Sequence, residues 1–345
     1  MVLFIARRLA WAVVLMAVIT FITFVIFVLI PAPPLPGQRI LDNELKVQLN
    51  LSGRSLPSAY VHYVDRIALH GDLGYSNREG DSVVHVIEKT LPVTASLVIG
   101  GVLFWLMLAF PVGILSALRP RSLLDKGLMV FVLIGIAGHP VWVGLMLSYF
   151  LGFKAGLFPV SGYCDFHAHP ETGNCGGAVN WAHHLVLPWI SFGLLYAALY
   201  ARMIRASVIE AMNEDYVRTA RAKGAGTNRV LRKHVLPNAM LPVVSMLGMD
   251  LALAFSATLF IEVVFSLPGM GHLLYLSLGR SDRPLIMGIV LTVSIFVVVA
   301  NLLVDIAYAA LDPRIRLYGK RERVGGRALR KELRAQPRVK ESSAT

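Results

Sequence analysis

The sequence predicts an all-α, polytopic membrane protein with six transmembrane helices and both termini in the cytoplasm. Three observations predict this fold class: the composition, the number of long apolar runs and the distribution of basic residues. Of the 345 residues, 56% are hydrophobic and only 16% are charged, and the mean hydropathy is +0.63. That balance is typical of membrane proteins with several spans and not of soluble domains.

Basic residues concentrate in the segments that a six-span topology places in the cytoplasm. Residues 1–8, 119–127, 202–238 and 312–345 contain 24 of the 33 Lys and Arg residues. Loops rich in Lys and Arg stay on the cytoplasmic side during insertion, so this bias sets the orientation. The net charge of +12 therefore indicates a partner in the lipid bilayer and no nucleic-acid partner, because the basic residues are not clustered with aromatic ones.

Several kinds of site are not expected in this chain. No G-x-x-x-x-G-K-[ST] motif occurs, so there is no P-loop to hold ATP phosphates. Two cysteines are too few for a disulfide scaffold, and no internal repeat is visible. We expect no catalytic residue, no cofactor and no resident metal, and any ATP hydrolysis would belong to another chain.

Residues 1–30 are predicted to contain the first span, and residues 31–90 an external segment. Arg7 and Arg8 precede residues 9–30, which carry no charge and as a helix would cover about 33 Å. A cleavable signal peptide has a shorter apolar region of about 7–15 residues, so an uncleaved span is favoured. Residues 56–69 predict an amphipathic helix on the outer surface, with apolar positions that include Ala59, Val61 and Val64.

Residues 91–311 form the predicted transmembrane core, and residues 312–345 form a basic cytoplasmic tail. The remaining apolar runs predict spans at 90–118, 127–151, 185–201, 239–264 and 285–309. The ionisable groups inside these spans include His139 beside Pro140 and Asp250 near the middle of the fifth span, and Asp305 lies near the inner end of the sixth. Such groups are costly in a membrane and often functional. A hydrogen bond from His139 to a carbonyl freed by the proline is the favoured structural interpretation.

The external segment 152–184 contains both cysteines in the pattern C-x₂-H-x-H-x₅-C. In an oxidising external compartment, Cys164 and Cys175 are expected to form a disulfide. Free thiols and a tetrahedral Cys/His metal site stay open as alternatives.

The loop at 202–238 has eight Lys and Arg residues against three Asp and Glu residues. It predicts two short helices hinged at Gly224 and Gly226. Gly224 is free to adopt the positive φ that a helix C-terminus needs, and Pro237 is expected to limit the second helix. From the residues alone, a solvated hairpin and a docking surface for an acidic partner are equally consistent with this pattern.

The segment DYVRTARAKG at 215–224, followed nine residues later by HVLP at 234–237, resembles a known family motif. It is similar to the EAA loop of permease subunits of ATP-binding-cassette importers, in the dipeptide/oligopeptide/nickel branch of the binding-protein-dependent inner-membrane components. Arg218 and Thr219 replace the Glu and first Ala of the general pattern, and His234 replaces its Ile. Supporting similarities are HGDLGYS (70–76), GHPVWVG (138–144), SLPGMG (266–271), SDRP (281–284) and LDPRIR (311–316).

The resemblance implies that this loop docks on a separate ATPase subunit and couples ATP hydrolysis to movement of the spans. The implied coupling residues are Asp215, Tyr216, Arg218, Thr219, Ala220, Lys223, Gly224, His234 and Pro237. The implied partners are a homologous second permease, two ATP-binding-cassette ATPase subunits and an extracytoplasmic substrate-binding protein. The implied cargo is a di- or oligopeptide, with nickel chelates and other small solutes as alternatives, carried across the cell inner membrane.

Two other function classes are weighed against an importer subunit. A proton-coupled secondary transporter would use His139 and Asp250 as a relay and would need no ATPase. A polytopic membrane enzyme would cluster ionisable residues at one membrane depth, whereas those in the predicted spans are few and scattered. Within an importer, Asp250 has one of two roles. Either it is structural, bonded to a Ser, Thr or backbone group of a neighbouring helix or simply protonated, or it faces the translocation path and attracts a cationic group of the cargo.

Overall fold

The fold is described from a computed structural model of the chain, which defines residues 2–29, 55–167 and 175–311. Residues 30–54 of the predicted first span and external segment, residues 168–174 between the two cysteines, and the predicted tail at 312–345 lie outside the described residues. Within them, helices dominate, and the one sheet is a two-stranded antiparallel hairpin of β1 (Tyr75–Ser76) and β2 (Asp81–Ser82).

Twelve α-helices follow one another along the described residues. They are α1 (Val2–Phe24), α2 (Leu56–His70), α3 (Val83–Leu118), α4 (Leu123–Ala137), α5 (Pro140–Leu147), α6 (Ala178–Met212), α7 (Asp215–Ala222), α8 (Thr227–Val230), α9 (Leu236–Ala239), α10 (Leu241–Val264), α11 (Met270–Arg280) and α12 (Arg283–Leu311). Three π-helical turns, Val25–Leu29, Ser148–Lys154 and Leu231–Val235, continue α1, α5 and α8.

Between four and six membrane spans are present in the described part of the chain. Four helices are long and apolar enough individually: Arg7–Phe27 of α1 and its π-helical turn, all of α3, all of α6, and Arg283–Val304 of α12. Two bent pairs qualify if each counts as one span: α4 with Pro140–Lys154, bent by 102°, and the two halves of α10, bent by 54°. The helical membrane fold predicted from the sequence is therefore confirmed.

The helices α3 and α6 extend beyond the predicted spans. α3 begins at Val83 because the Ser82 hydroxyl caps it, accepting from the His85 N–H at 3.3 Å. α6 ends only at Met212, so it continues into the polar loop predicted at 202–238. Apolar runs underestimate such helices because their ends carry polar residues.

The contact of α3 with α6 forms the centre of the structure. Trp105 of α3 is fully buried and stacks on Tyr196 of α6, with ring centroids 4.6 Å apart. Tyr200 lies 5.9 Å from the same indole. One apolar cluster runs from Tyr200 through Ile204 and Val208 of α6 to the short helices after it. The membrane core and the polar loop therefore share a single packed interior.

The helix α2 confirms the predicted amphipathic helix, although one of the positions expected on its apolar face is exposed. Ala59 and Tyr63 pack against Phe24 of α1 and Met287 of α12. Val61, which we expected on the apolar face, is 66% exposed. Positions four apart share a helix face, whereas a residue two positions on is rotated by about 200°.

The predicted third span breaks at Gly138-His139-Pro140, between α4 and α5. His139 is the N-cap of α5, and its Nδ1 atom accepts a hydrogen bond from the Val141 N–H at 3.3 Å. The expected bond to a freed carbonyl was therefore wrong. Pro140 begins a new helix instead of interrupting an existing one, and the groups left unpaired at a helix start are N–H donors.

Two of the family-like segments meet at the N-terminal end of α12. Ser76, in HGDLGYS, donates a hydrogen bond to Asp282, in SDRP, and both side chains are buried. Arg280 pairs with Glu79 at 2.8 Å in the same region. The contact fastens the β1–β2 hairpin to the start of α12.

A buried carboxylate, Glu262 of α10, organises the turn into α11. Oε2 accepts from the backbone N–H groups of Gly271, at 2.7 Å, and His272, at 3.0 Å. Oε1 accepts from the Thr94 hydroxyl of α3 at 2.7 Å, and Thr94 accepts in turn from the Met270 N–H at 2.8 Å. Three helices are therefore joined through one side chain that is 0% exposed.

The approach of Glu262 also accounts for a glycine of the SLPGMG segment. A Cβ atom placed on Gly269 would lie 2.5 Å from the Glu262 carboxylate, closer than van der Waals contact allows. Neither Glu262 nor α11 was predicted from the sequence, which indicated only a loop at this place. A Glu in the last turn of an apolar helix, followed by Gly-x-Gly, is the signal that was present.

Replacing Glu262 with Gln is expected to destabilise the protein. The carboxylate accepts from three donors, and an amide in its place turns an NH₂ group towards at least one of them. A buried donor without an acceptor costs about 1–3 kcal/mol. The thermal unfolding midpoint of the purified chain measures the effect. Glu88→Gln, at an exposed position of α3, is the matched control, and equal midpoints for the two variants would contradict the bridging role.

Candidate coupling surface

The residues predicted to couple the chain to an ATPase lie on α7 and on the segment that follows it. Ala220 and His234 are half-buried, and the other members of the set are exposed. The exposed members are Asp215, Tyr216, Arg218, Thr219, Lys223, Gly224 and Pro237. The structure therefore presents most of these side chains to solvent on one polar segment.

One apolar side chain fastens α7 to the rest of the protein. Val217 is 0% exposed and belongs to the same cluster as Val208 of α6, Val230 of α8 and Val235. The short helices consequently pack on the end of α6. Val217 therefore places α7 in the same apolar cluster as the end of α6.

Gly224 terminates α7 in the conformation predicted from the sequence. Its φ is +81°, in the left-handed region where a side chain is unfavourable. The Ala225 N–H donates to the Ala220 carbonyl at 3.1 Å and the Gly224 N–H to the Arg221 carbonyl at 2.9 Å. These bonds close the helix and turn the chain sharply, while Gly226 has an ordinary extended conformation with φ −66°.

A groove separates α7 from the helical turns after it. Its lining residues are Tyr216, Thr219, Ala220, Lys223, Gly224, Ala225, Arg229 and His234. Lys223 and Arg229 are cationic, and none of these lining residues is a carboxylate. Asp215 lies outside the groove, 3.6 Å from Arg218 in an exposed pair that contributes little stability. The groove is therefore suited to a partner with acidic and small apolar side chains.

The helix after the loop does not end at Pro237, contrary to the prediction. A proline lacks an N–H and clashes with the carbonyl four residues earlier in an α-helix. Here the wider π-helical turn Leu231–Val235 comes directly before α9, and Pro237 sits in the first turn of α9. The backbone passes from the loop into α10 with only Met240 between the two helices.

A buried ion pair that was not predicted joins α3, α4 and α6. Arg205 of α6 donates two hydrogen bonds, each 2.8 Å long, to the two oxygens of Asp125 in α4. Ser116 of α3 donates to Asp125 and accepts from Arg205 at 2.9 Å. The Arg121 N–H also donates to Asp125 at 2.8 Å. The signal in the sequence was an Asp three residues after Ser122, which is a helix-start pattern.

Asp250 and His139, the two groups of the predicted relay, each have another partner. Asp250 is half-buried and accepts a hydrogen bond from the Tyr200 hydroxyl at 2.7 Å. His139 is exposed and caps α5 through its Nδ1 atom. The bond of Asp250 to a neighbouring helix was foreseen in kind, but the donor is a tyrosine and not a serine, threonine or backbone group.

Cys164 and Cys175 are joined as a disulfide, with Cα atoms 5.2 Å apart. Cys164 is buried, and the adjacent Tyr163 accepts at its hydroxyl from the Trp181 indole N–H at 3.1 Å. The loop is thereby packed on the first turns of α6.

Replacing Arg205 with Gln is expected to destabilise the protein more than the same change at Arg202. The substitution leaves the Asp125 carboxylate buried without its cation. Breaking a buried pair costs about 3–5 kcal/mol, and the lower part of that range applies because the Arg205 side chain is 27% exposed. Unfolding of the purified chain gives the measurement. Arg202→Gln, on the same helix but at an exposed position, should change the midpoint little.

The double variant Asp125→Asn with Arg205→Gln provides a further check. Removing both charges should recover part of the stability that Arg205→Gln alone loses. Additive losses would mean that the two side chains do not interact.

Comparison with known proteins identifies the family. Residues 109–317 match the model of the binding-protein-dependent transport system inner membrane component, and residues 1–98 match the model of the corresponding N-terminal region. Among solved structures, the MetNI methionine ABC transporter in an inward-facing conformation is similar, with a TM-score of 0.51 and 18% identity over 66% of this chain and 96% of that chain. The similarity to the MetNI transporter concerns the fold alone.

Curated relatives cover the chain at higher identity. The di/tripeptide transport system permease protein DppB of Pseudomonas aeruginosa is 34% identical over 92% of this chain and 99% of its own length. The dipeptide transport system permease protein DppB of Escherichia coli K12 gives the same values. The oligopeptide transport system permease protein AppB of Bacillus subtilis is 37% identical over 74% of this chain and 80% of its own length. The chain therefore belongs to the family of binding-protein-dependent transport system inner membrane components.

Proposed function

We propose that this chain is the permease subunit of an ATP-driven importer of di- or oligopeptides. It forms half of the translocation path and docks on separate ATPase subunits. The observation that carries the proposal is the exposed helix α7, which is anchored by Val217 in the apolar cluster that includes the end of α6 and is ended by Gly224 at positive φ. The peptide cargo rests on the relatives, which are permease proteins of dipeptide and oligopeptide transport systems.

The chain is a multi-pass protein of the cell membrane, as its family and its long apolar helices indicate. We infer six spans, with each bent pair of helices crossing once, and both termini in the cytoplasm. The charge bias supports this orientation, because the four proposed cytoplasmic segments contain 24 of the 33 Lys and Arg residues. The coupling surface then faces the cytoplasm, where ATP is available.

We infer the partners from the family and from the chemistry of the surface. A homologous permease supplies the second half of the path, and an extracytoplasmic substrate-binding protein delivers the cargo. Two ATP-binding-cassette ATPase subunits bind the coupling surfaces of the two permeases and hydrolyse ATP. This chain itself catalyses no reaction, and its movement follows from α7 pushing on α6 through the Val217 cluster.

A proton-coupled transporter with a His139–Asp250 relay is not advanced as a second function. Asp250 accepts from Tyr200, and His139 caps α5. Both groups therefore have hydrogen-bond partners that involve no relay between them.

Replacing Gly224 with Val is expected to abolish ATP-driven uptake without preventing membrane insertion. A β-branched side chain resists the left-handed backbone conformation, which costs roughly 1–2 kcal/mol even for less bulky residues. The end of α7 would then adopt another path. No atom lies within 4 Å of a Cβ on Gly224, so the effect arises from the backbone and not from a clash.

Gly226→Val is the matched control for this test. Gly226 is equally open but has φ −66°, which a valine adopts readily. Uptake is measured in proteoliposomes that contain the assembled transporter, with ATP and without a pH gradient. Normal uptake and normal ATPase stimulation with Gly224→Val would remove this loop from the coupling mechanism. Uptake that needs a pH gradient and no ATP would favour a secondary transporter.

A second experiment tests whether Asp250 faces the path. Placing an Asp at the centre of a membrane helix costs about 2.5–3.5 kcal/mol, so the residue needs protein or water around it. If its charge attracts a cationic group of the cargo, Asp250→Asn should reduce uptake of cationic peptides more than that of neutral peptides. Tyr200→Phe is the control, because it removes the hydrogen bond and keeps the charge. Equal loss for both classes of peptide would assign Asp250 a structural role.

A further inference from the structure

The loop between α5 and α6 brings together three side chains whose chemistry suits a soft metal ion. Potential ligand atoms of Cys164, Cys175 and His184 all lie within 4.8 Å of one another. Cys164 is buried, Cys175 is exposed and His184 is half-buried. The cluster is therefore covered by protein at Cys164 and accessible to solvent at Cys175.

The orientation of His184 is fixed by a bond outside the cluster. Its Nδ1 atom lies 2.9 Å from the carbonyl oxygen of Asn180, one turn earlier in α6. A carbonyl only accepts, so Nδ1 carries the proton and Nε2 keeps its lone pair. The Cys164 sulfur lies 3.3 Å from Nδ1 and 3.6 Å from Nε2. A histidine held by an N–H to carbonyl bond offers its other nitrogen to a metal. The Cys164 sulfur would reach the Nε2 side of the ring by rotation of its side chain once the S–S bond is broken.

This set of residues differs from the one that sequence spacing indicated. The pattern C-x₂-H-x-H-x₅-C pointed to histidines between the two cysteines, and His167 is not part of the cluster. His184 enters the cluster because α6 begins at Ala178 and its first turns pass beside the loop.

We propose that Cys164, Cys175 and His184 form a redox-gated site for a thiophilic divalent cation such as Zn²⁺. The disulfide closes the site, and a dithiol reductant opens it. The S–S bond breaks, two thiols form, and the reductant becomes a cyclic disulfide. Binding then makes two metal–sulfur bonds and one metal–nitrogen bond, with both thiol protons released to solvent and water as the fourth ligand.

The backbone spacing permits this change without moving the helices. Zn–S bonds of about 2.3 Å in a tetrahedral site place two sulfurs roughly 3.8 Å apart. Cα atoms 5.2 Å apart reach that separation by rotation of the two side chains. A bound ion would hold the loop to α6 as the disulfide does. The proposal is independent of the importer function, since it concerns the isolated loop and α6.

Cobalt provides the probe, because Co²⁺ bound to thiolates absorbs strongly in the near ultraviolet. The full-length chain, purified in lipid nanodiscs without a polyhistidine tag, contains only two cysteines, so a thiolate band can arise only from them. After reduction by a dithiol and removal of the reductant, we expect one Co²⁺ per chain with such a band, displaced by Zn²⁺. The oxidised chain should show no band.

The variants assign the third ligand. His184→Gln should weaken the apparent Co²⁺ affinity at least about tenfold, the lower limit for losing even an outer-shell group. His183→Gln is the matched control, since its Nε2 atom lies 2.8 Å from the Leu157 carbonyl and outside the cluster. Unchanged affinity in His184→Gln, or no stoichiometric band in the reduced chain, would overturn the proposal. A size-exclusion profile that is no longer monodisperse after reduction would also overturn the proposal, because the reduced protein would then not keep the fold that positions the three ligands.

Discussion

Buried carboxylates at the ends of membrane helices impose the strongest constraint on this structure, because each needs donors that hydrocarbon does not supply. Glu262 takes its donors from α3 and α11, and Asp125 takes its donors from α3, α6 and the turn before α4. The two groups therefore fix α3 against different neighbours. The aromatic packing of Trp105 on α6 lies between these two sites along α3.

The need of buried carboxylates for donors also explains residues whose role is not evident from the sequence motifs alone. Gly269 has no side chain because the Glu262 carboxylate occupies that space. Ser76 and Asp282 are far apart in the sequence, yet they share one buried hydrogen bond. Each of these positions is defined by a polar contact between elements and not by the propensity of the element that contains it.

Much of the fold could be predicted from the sequence, since apolar runs and charge bias depend on the bilayer alone. The amphipathic helix α2 and the positive φ of Gly224 also follow from local chemistry. Contacts between distant elements could not be read in this way, and Asp125, Arg205 and Glu262 were missed for that reason. His139 was assigned a carbonyl partner because the start of a new helix at Pro140 was not predicted. Val61 was assigned to the wrong face of α2. The exposed residues of the candidate coupling surface were named from the sequence. The burial of Val217, which anchors α7, could be seen only in the structure.

The central claim is that α7 and the groove beside it bind an ATPase subunit. Hydrogen–deuterium exchange of the backbone amides tests it directly, with the chain alone and in the complex with ATPase subunits compared in the same lipid. The account predicts slower exchange across Asp215–Ala222 and Leu231–Val235 in the complex, and little change in the β1–β2 hairpin. Unchanged exchange at these amides, in a complex that hydrolyses ATP and transports peptide, would contradict it.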